Sequence, residues 1–242
     1  MAARRNILCL LLLAVATAWG CSYYFPTGPL EPSEAQGEEM TIADDGSLTF
    51  ERGRLEVTLR PMTDDELNRL TQAASGVTPY TYGDVDFEDG ESHSRFTVFM
   101  LRIKNYEFPK VIIDPARIEL TATNGRQYWS LNHQQLQAYF RSYAVGYRGN
   151  EYSVYQERVD LLNRTMFKAD AVFSGQESEG YVVFPILHED VRSVEVIVHD
   201  AAVRFDYRGV PAEKVDITYR LEREVDKKSW RDAPARTASV AD

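Results

Sequence analysis

Alternating apolar and polar positions dominate the middle and the last third of the chain. Leu55, Val57 and Leu59 are separated by Glu56 and Thr58, which is the pattern of a strand that buries one face. Comparable runs occupy residues 96–103, 118–123, 127–131, 181–186, 194–199, 203–207 and 215–222. Seven or eight short strands with turn residues between them predict a mainly β protein built as a β-sandwich.

One turn between two of these strands is specified by its own residues. Asn124-Gly125 follows the run that ends at Thr123, and a further run begins at Gln127. Both turn residues tolerate positive φ, so the pair is a strong short-range signal for a β-hairpin. We therefore expect the two flanking runs to pair as antiparallel neighbours.

A short segment after the first strand departs from the β pattern. Thr63 and Glu66 have the spacing of a capping box, and Leu67 and Leu70 lie on one helical face. In a capping box, the side chain of each of the two residues accepts a hydrogen bond from the backbone of the other. The pattern predicts one short helix over residues 63–74.

Residues 132–168 form the larger departure. Their apolar and aromatic positions fall at i, i+3, i+4 and i+7, and after Gly146 and Gly149 a second set repeats at heptad-like spacing. Both spacings are typical of helices, so we predict an αα-hairpin inserted between strands. The first set is Leu136, Tyr139, Phe140 and Tyr143, and the second is Tyr155, Val159, Leu162 and Met166.

The first 20 residues have the layout of a secretory signal peptide. A cationic start with Arg4 and Arg5 precedes an almost wholly apolar run over residues 7–18, as in secretory signals. The run is shorter than the roughly 20 residues that a bilayer span needs. The sequence thus predicts export without a membrane-spanning helix.

The next residues decide how the exported chain begins. Ala18, Trp19, Gly20 and Cys21 resemble the bacterial lipobox, although Trp19 departs from its usual Ala or Ser. The resemblance implies cleavage between Gly20 and Cys21 and attachment of a diacylglyceryl group to the Cys21 thiol. Acyl chains anchor because each buried CH₂ contributes about 0.8 kcal/mol. Ser22, which follows the cysteine, is compatible in such lipoproteins with sorting to the outer membrane.

Ordinary cleavage after Ala18 is an alternative, because residues 16–18 read Ala-Thr-Ala, an A-x-A site. It would leave Cys21 as a lone thiol, since Cys9 departs with the signal. An unpaired thiol is a liability in an oxidising compartment, which favours lipidation. An uncleaved segment is a third alternative.

The rest of the chain divides by composition. Residues 21–46 contain three prolines and many acids without an apolar period, and predict a disordered tether with an end-to-end distance of roughly 25–30 Å. Residues 226–242 are polar and predict a disordered tail. Between them, residues 47–225 form the predicted sandwich domain, with its helical insertion at 132–168.

The charge balance narrows the choice of partners. The full chain has a formal charge of −10, and removing residues 1–20 takes away Arg4 and Arg5 and no acid, which leaves −12. Such a surface repels nucleic-acid phosphates and anionic head groups. We therefore predict no nucleic-acid binding, and membrane attachment through the lipid alone.

Several predicted strands and breaks follow one another in a recognisable order. An apolar strand over residues 96–105 ends in Lys-Asn, a proline-containing break leads to a strand closed by Asn124-Gly125, and residues 180–185 form a later strand. In this order the chain resembles a broad group of bacterial lipoproteins with an immunoglobulin-like domain, over residues 48–131 and 171–224. The resemblance implies an immunoglobulin-like β-sandwich acting as an envelope-facing binding or structural module, without shared catalytic residues. The helical insertion departs from that group.

Metal-binding patterns are poor. No two histidines have the spacing of a helical zinc pair, and His133, near the predicted helix start, is interpreted as a polar surface residue. Asp84, Asp86 and Glu88 resemble the start of an EF-hand calcium loop. The required glycine comes one residue late, however, and Arg95 stands where a bidentate Glu belongs. We predict no metal site, and name these three acids as the ligands that a looser calcium site would use.

Tyrosines concentrate in the predicted helical insertion. Rings on one helical face are expected to pack the helices together and onto the sheet. Tyr147 and Tyr152 lie near the turn at residues 146–150 and need not pack there. They are therefore our candidates for contact with a partner, since Tyr combines apolar area with a polar tip.

No glycine-rich phosphate loop and no G-x-S-x-G elbow occurs in the sequence, so we predict no catalytic residue, no enzymatic activity and no cofactor. The leading expectation is a lipid-anchored, non-enzymatic protein of the cell envelope, most simply at the outer membrane, that acts as a structural or assembly accessory and binds an envelope protein. The alternative is a binding module for a small molecule, a sugar or calcium.

Overall fold

The computed structural model describes residues 23–72, 77–83, 94–146 and 152–229. Strands hold 44% of the residues and helices 19%, so the prediction of a mainly β protein is confirmed. The strands are β1 (Tyr23–Tyr24), β2 (Glu31–Pro32), β3 (Met40–Ile42), β4 (Leu48–Arg52), β5 (Leu55–Met62), β6 (Phe96–Asn105), β7 (Lys110–Val111), β8 (Ile118–Ala122), β9 (Gln127–Trp129), β10 (Val172–Phe173), β11 (Gln176–Pro185), β12 (Ser193–Phe205), β13 (Pro211–Glu222) and β14 (Lys228–Ser229).

The helices fall where the sequence departs from the β pattern. The first begins with the predicted capping box: the Thr63 amide donates to Glu66 Oε2 at 3.1 Å, and the Glu66 amide donates to Thr63 Oγ1 at 3.3 Å. Among the described residues, no helix is both long and apolar enough to cross a membrane. The helices are α1 (Asp64–Gln72), α2 (His133–Gly146) and α3 (Tyr152–Thr165), with a 3₁₀ turn at Pro115–Arg117. We call α2 and α3 together the helical hairpin.

Two five-stranded antiparallel sheets contain most of the strands. Sheet I has the order β11-β6-β5-β4-β3, and its central Met100 pairs with Arg60 on one side and Tyr181 on the other. Sheet II has the order β2-β13-β12-β8-β9, in which Val196 lies between Leu120 and Tyr219. Two smaller pairs, β1 with β14 and β7 with β10, complete the strand pairing of the described residues.

The turn between β8 and β9 has the predicted form. Gly125 adopts φ 84°, a conformation that glycine reaches without steric cost. Thr121 pairs with Gln127 and Glu119 with Trp129 across the hairpin. The predicted antiparallel pairing of these two segments is therefore confirmed.

The inner faces of the two sheets fill one apolar core. Ile118, Leu120 and Val196 are fully buried, as their alternation with polar residues predicts. The hydroxyl of Tyr219, in sheet II, donates to the carbonyl of Val57, in sheet I, at 2.8 Å. Complete burial raises the pKa of Tyr219 well above its usual value, so this hydroxyl stays protonated and the bond joins the sheets.

A second apolar cluster lies on the other face of sheet I. Tyr181 and Val183 of β11 pack there against Leu136 and Phe140 of α2 and Leu162 of α3. The intervening β11 residues belong to the core between the sheets. Both faces of β11 are thus covered, and the helical hairpin lies on sheet I as a third layer.

The prediction of a disordered tether over residues 21–46 is wrong from residue 23 onward. Tyr23–Tyr24 pairs with Lys228–Ser229, Thr27 bridges Val225, and β2 and β3 are edge strands of sheets II and I. The segment lacks an apolar period because its strands are only two or three residues long and lie at sheet edges, where proline is tolerated.

The predicted tail is also partly ordered. Residues 226–229 continue the pairing with the N-terminal segment: the Asp226 amide donates to the Pro26 carbonyl at 3.1 Å, and β14 follows. Residues 230–242 lie outside the described part of the chain. The two ends of the described fold therefore run side by side.

Candidate functional site

The helical hairpin is joined to sheet I at both of its ends. The Leu131 amide, just before α2, donates to the carbonyl of Val183 at 2.7 Å, and the Phe167 amide, just after α3, donates to that of Tyr181 at 3.0 Å. These bonds use the edge of β11 that faces away from β6. An exposed strand edge would otherwise present unpaired backbone groups, so the insertion both covers and fixes this edge.

A glycine makes this close approach achievable. A Cβ atom at Gly180 would lie 2.5 Å from the amide nitrogen of Phe167 and 2.6 Å from its Cα. Real side chains do not tolerate such distances to backbone atoms, because interiors are close-packed. Gly180 therefore lets the end of the hairpin lie directly against the strand.

The start of α2 is held by a reciprocal cap. The Gln135 amide donates to Asn132 Oδ1 at 2.9 Å, and the Asn132 amide donates to Gln135 Oε1 at 2.8 Å. This arrangement satisfies two backbone donors of the first turn. The amides of His133 and Gln134 are left without an intrahelical acceptor, as helix geometry requires.

A cavity of about 360 Å³ opens where the ends of the helical hairpin meet β11 and the 3₁₀ turn. We call it the hairpin-root pocket. Its volume falls in the range of small-molecule sites, roughly 300–1,000 Å³. Four stretches of chain that are distant in sequence line it: Asp114, Pro115 and Ala116; Ser130, Leu131, Asn132 and His133; Leu162, Asn163, Met166, Phe167 and Lys168; and Tyr181 and Val182.

His133 occupies an unexpected place in this wall. The sequence suggests a surface residue, but the side chain is half-buried, and its Nε2 atom is buried without a hydrogen-bond partner. Leaving a buried polar nitrogen unpaired costs about 1–3 kcal/mol. Lys168, by contrast, is exposed, and Asp114 Oδ1 accepts a hydrogen bond from the Ala116 amide at 3.0 Å.

The tip of the hairpin carries one of the two predicted contact tyrosines. Tyr152 is 64% exposed, and its ring centroid lies 5.9 Å from that of Tyr155. Tyr147 lies outside the described residues, between α2 and α3. The structure therefore presents Tyr152 to solvent, and its role as a contact stays a prediction.

The other predicted site residues fall outside the described ranges. These are Gly20 and Cys21 in the predicted lipidation site, and the acids Asp84, Asp86 and Glu88 in the candidate calcium loop. Within the described ranges, no group of three His, Cys, Asp or Glu residues has the arrangement of a metal site.

A polar network that the sequence does not suggest lies on the outer face of sheet II. The buried carboxylate of Glu119 is 3.2 Å from His199 Nε2, and Asp216 lies 3.7 Å from His199 Nδ1. Asp200, at a bulge in β12 with φ 54°, pairs with Arg117. These residues come from β8, β12, β13 and the 3₁₀ turn, so neighbouring positions along the chain do not reveal them.

Comparison with known proteins gave no match to a family model, to a curated protein or to a solved structure.

Proposed function

We propose that this protein is a lipid-anchored, non-enzymatic accessory of the bacterial cell envelope that binds an envelope protein. The observation that carries the proposal is the lipobox-like Ala18–Cys21 segment after a signal-like apolar run. The first described strand begins at Tyr23, two residues after Cys21. Acyl chains on Cys21 would hold the folded domain directly at the bilayer surface, without a long flexible linker.

We propose further that the carrier of this function is an immunoglobulin-like β-sandwich. Support comes from two five-stranded antiparallel sheets with one common core and from the hydrogen bond between Tyr219 and Val57 that crosses it. Such a scaffold holds its loops and insertions rigidly, and recognition commonly resides there.

The partner surface in this proposal is the tip of the helical hairpin. Exposed tyrosine side chains contribute strongly to the binding energy of protein interfaces, because the ring buries much area with little loss of side-chain freedom. Tyr152 has the required exposure, and Tyr147 is the second candidate. α2 and α3 rest on sheet I, so a partner that contacts Tyr152 would meet a helix that the sheet supports.

The anchor is tested by Cys21→Ala in cells fed an alkyne-labelled fatty acid. We expect the wild-type chain to take up the label, to begin at Cys21 by mass spectrometry and to float with membranes. The variant should lose the label and accumulate as precursor. Cys9→Ala, inside the signal segment, is the matched control and should behave as wild type. A mature wild-type chain that begins at Trp19 would contradict the lipid anchor.

The partner surface is tested by the double variant Tyr147→Ala and Tyr152→Ala with cross-linking in intact cells. We expect a specific cross-linked species of the wild type to disappear while the melting temperature changes little. Tyr207→Ala is the control, because Tyr207 is 89% exposed but belongs to the turn between β12 and β13. Loss of the same species in the control, or its survival in the double variant, counts against the hairpin tip.

A further inference from the structure

The turn between β8 and β9 contains the one Asn-Gly pair of the chain, Asn124-Gly125, and both residues are exposed. The Ala122 amide donates to the Arg126 carbonyl at 2.8 Å and closes a three-residue loop. Gly125 has the positive φ that the last residue of such a loop requires. The side-chain amide of Asn124 therefore lies next to a backbone nitrogen whose own residue has no side chain.

An asparagine followed by glycine loses its side-chain amide without an enzyme. The glycine nitrogen gives up its proton and attacks Cγ of the asparagine, so that an N–Cγ bond forms, the Cγ–Nδ2 bond breaks and ammonia leaves. Water then opens the resulting succinimide ring at either carbonyl. One product is aspartate, and the other is isoaspartate, in which the main chain runs through Cβ and Cγ. Glycine favours the attack because it has no Cβ beside the nitrogen.

Two features of the turn act on this reaction in opposite directions. Apart from the chain neighbours, no described atom lies within 4 Å of a Cβ built on Gly125, so water reaches the site freely. The Gly125 amide, however, donates to the Ala122 carbonyl at 2.9 Å, and Asn124 Oδ1 accepts from the Arg126 amide at 3.1 Å. The nitrogen has to leave its acceptor, and the side chain its donor, before the two can meet.

Opening of this turn requires little of the fold to move. β9 has only three residues and pairs with β8 alone, at the edge of sheet II. Edge segments with few backbone hydrogen bonds open locally, at far lower free energy than the whole domain unfolds. We propose that Asn124 is a site of spontaneous deamidation, reached by opening of the turn, and that isoaspartate there loosens β9. The proposal depends neither on lipidation of Cys21 nor on the partner surface.

The same strand leads into the helical hairpin. Only three residues separate Trp129, at the end of β9, from His133, at the start of α2. Among them, Leu131 donates its amide to the Val183 carbonyl at 2.7 Å. Isoaspartate lengthens the main chain inside a loop that sets the register of β8 and β9. Modification at the turn therefore reaches the joint between the hairpin and β11.

The test is incubation of residues 22–242, which include every described element, at mildly alkaline pH, followed by digestion and mass spectrometry. Asn132 is the internal control, because it is exposed and its Oδ1 atom also accepts a backbone amide, but His133 follows it. We expect Asn124 to deamidate at least about tenfold faster than Asn132, since a Cβ on the next residue hinders attack. Equal rates, or no conversion at Asn124, would overturn the proposal.

Unfolding in guanidinium chloride separates the turn from the local sequence. It removes the bond between Gly125 and Ala122, so Asn124 should deamidate about tenfold faster than in the folded chain, the typical weight of one or two backbone hydrogen bonds. A folded chain that reacts as fast as the unfolded one would refute the route through opening of the turn.

Asn124→Asp is the matched control for the consequence, because it adds the charge of the product without lengthening the main chain. The isoaspartate form should melt about 2–4 °C below the unmodified chain, with faster hydrogen exchange at the Leu131 amide. Asn124→Asp should change neither value. Unchanged melting and exchange in the isoaspartate form, or an equal change in Asn124→Asp, would overturn the proposed loosening of β9.

Discussion

The two large sheets share a core but differ in what covers their outer faces. Over β6 and β11, sheet I is covered by the helical hairpin and α1. The outer face of sheet II carries polar pairs instead, such as Arg220 Nε with Glu195 Oε1 at 2.8 Å and His199 with Glu119 at 3.2 Å. Accordingly, residues 180–184 of β11 are all buried, whereas buried and half-buried residues alternate over residues 217–221 of β13.

This difference shows what an apolar pattern reports. Alternation marks a strand with one buried face, and a continuous apolar run marks a strand with two. In β11, Tyr181 and Val183 pack against helices while Val182 and Phe184 pack against sheet II. The pattern gives the number of covered faces, but the identity of the covering element comes only from the structure.

The largest expected effect tests the outer faces directly. Val183→Asp places a carboxylate under the helical hairpin, at a fully buried position, and should lower the free energy of unfolding by about 4 kcal/mol or more. Thr218→Asp makes the matching change on the outer face of sheet II and should cost at most about 1 kcal/mol. Urea unfolding measures both. Similar losses would mean that the two faces do not differ as described.

The second effect concerns the joint between hairpin and sheet I. Gly180→Ala brings a methyl group against the backbone of Phe167, so overpacking should cost about 1–3 kcal/mol. Gly37→Ala is the control, because nothing lies within 4 Å of an added Cβ there. Thermal unfolding followed by circular dichroism measures the two, and a stable Gly180→Ala chain would show that the joint adjusts freely.

The third effect concerns the bond between the sheets. Tyr219→Phe removes the hydroxyl that donates to Val57 and should lower the free energy of unfolding by about 1 kcal/mol. Tyr207→Phe alters a ring that is 89% exposed and should have no effect. The difference between the two variants in free energy of unfolding, measured with denaturant, isolates the buried bond. No difference would mean that the bond does not contribute to stability.

The smallest expected effect is a dependence of stability on pH, which arises from Glu66 in α1. Partial burial raises the pKa of the Glu66 carboxyl, but hydrogen bonds from Arg60 and Thr63 outweigh this and hold it below its usual 4.5. A lowered pKa stabilises the fold above about pH 4.5, and this contribution is lost as pH falls through the folded value. Because the side chains of Arg60 and Glu66 are only partly buried, solvent screens the pair, and this contribution amounts to at most about 0.5 kcal/mol.

Glu66→Gln should remove this dependence. Urea unfolding at pH 6 and pH 3.5 should show a smaller stability loss on acidification for the variant than for the wild type. Equal losses in both chains would mean that other carboxylates account for the whole acid response.

Local signals predicted the elements that depend on local chemistry. The capping box before α1, the Asn124-Gly125 turn and the buried positions Ile118 and Leu120 follow from spacing alone. The helical hairpin was predicted as well, because its apolar spacing persists over two helices.

The features that the sequence did not predict depend on contacts between residues that are distant along the chain. The strands of residues 23–46 are too short to show a period, and they form because partners such as Leu221 and Ser229 lie beside them. The hairpin-root pocket joins four distant stretches of chain, so nothing in the pattern around His133 suggests a cavity. The closeness of Gly180 to Phe167 likewise depends on the path of the hairpin.

The pairing of the two chain ends has a mechanical consequence. β1 and β2 lie antiparallel to residues 221–229 and form a two-stranded ribbon with them. The proposed anchor, Cys21, precedes the outer end of this ribbon in the chain. A pull on Cys21 away from the domain acts along the strands, perpendicular to their hydrogen bonds, so the bonds carry the load together in shear. Once they fail, residues 23–32 can extend by up to about 3.4 Å each, and the ribbon would act as a force-released extension between the membrane and the domain.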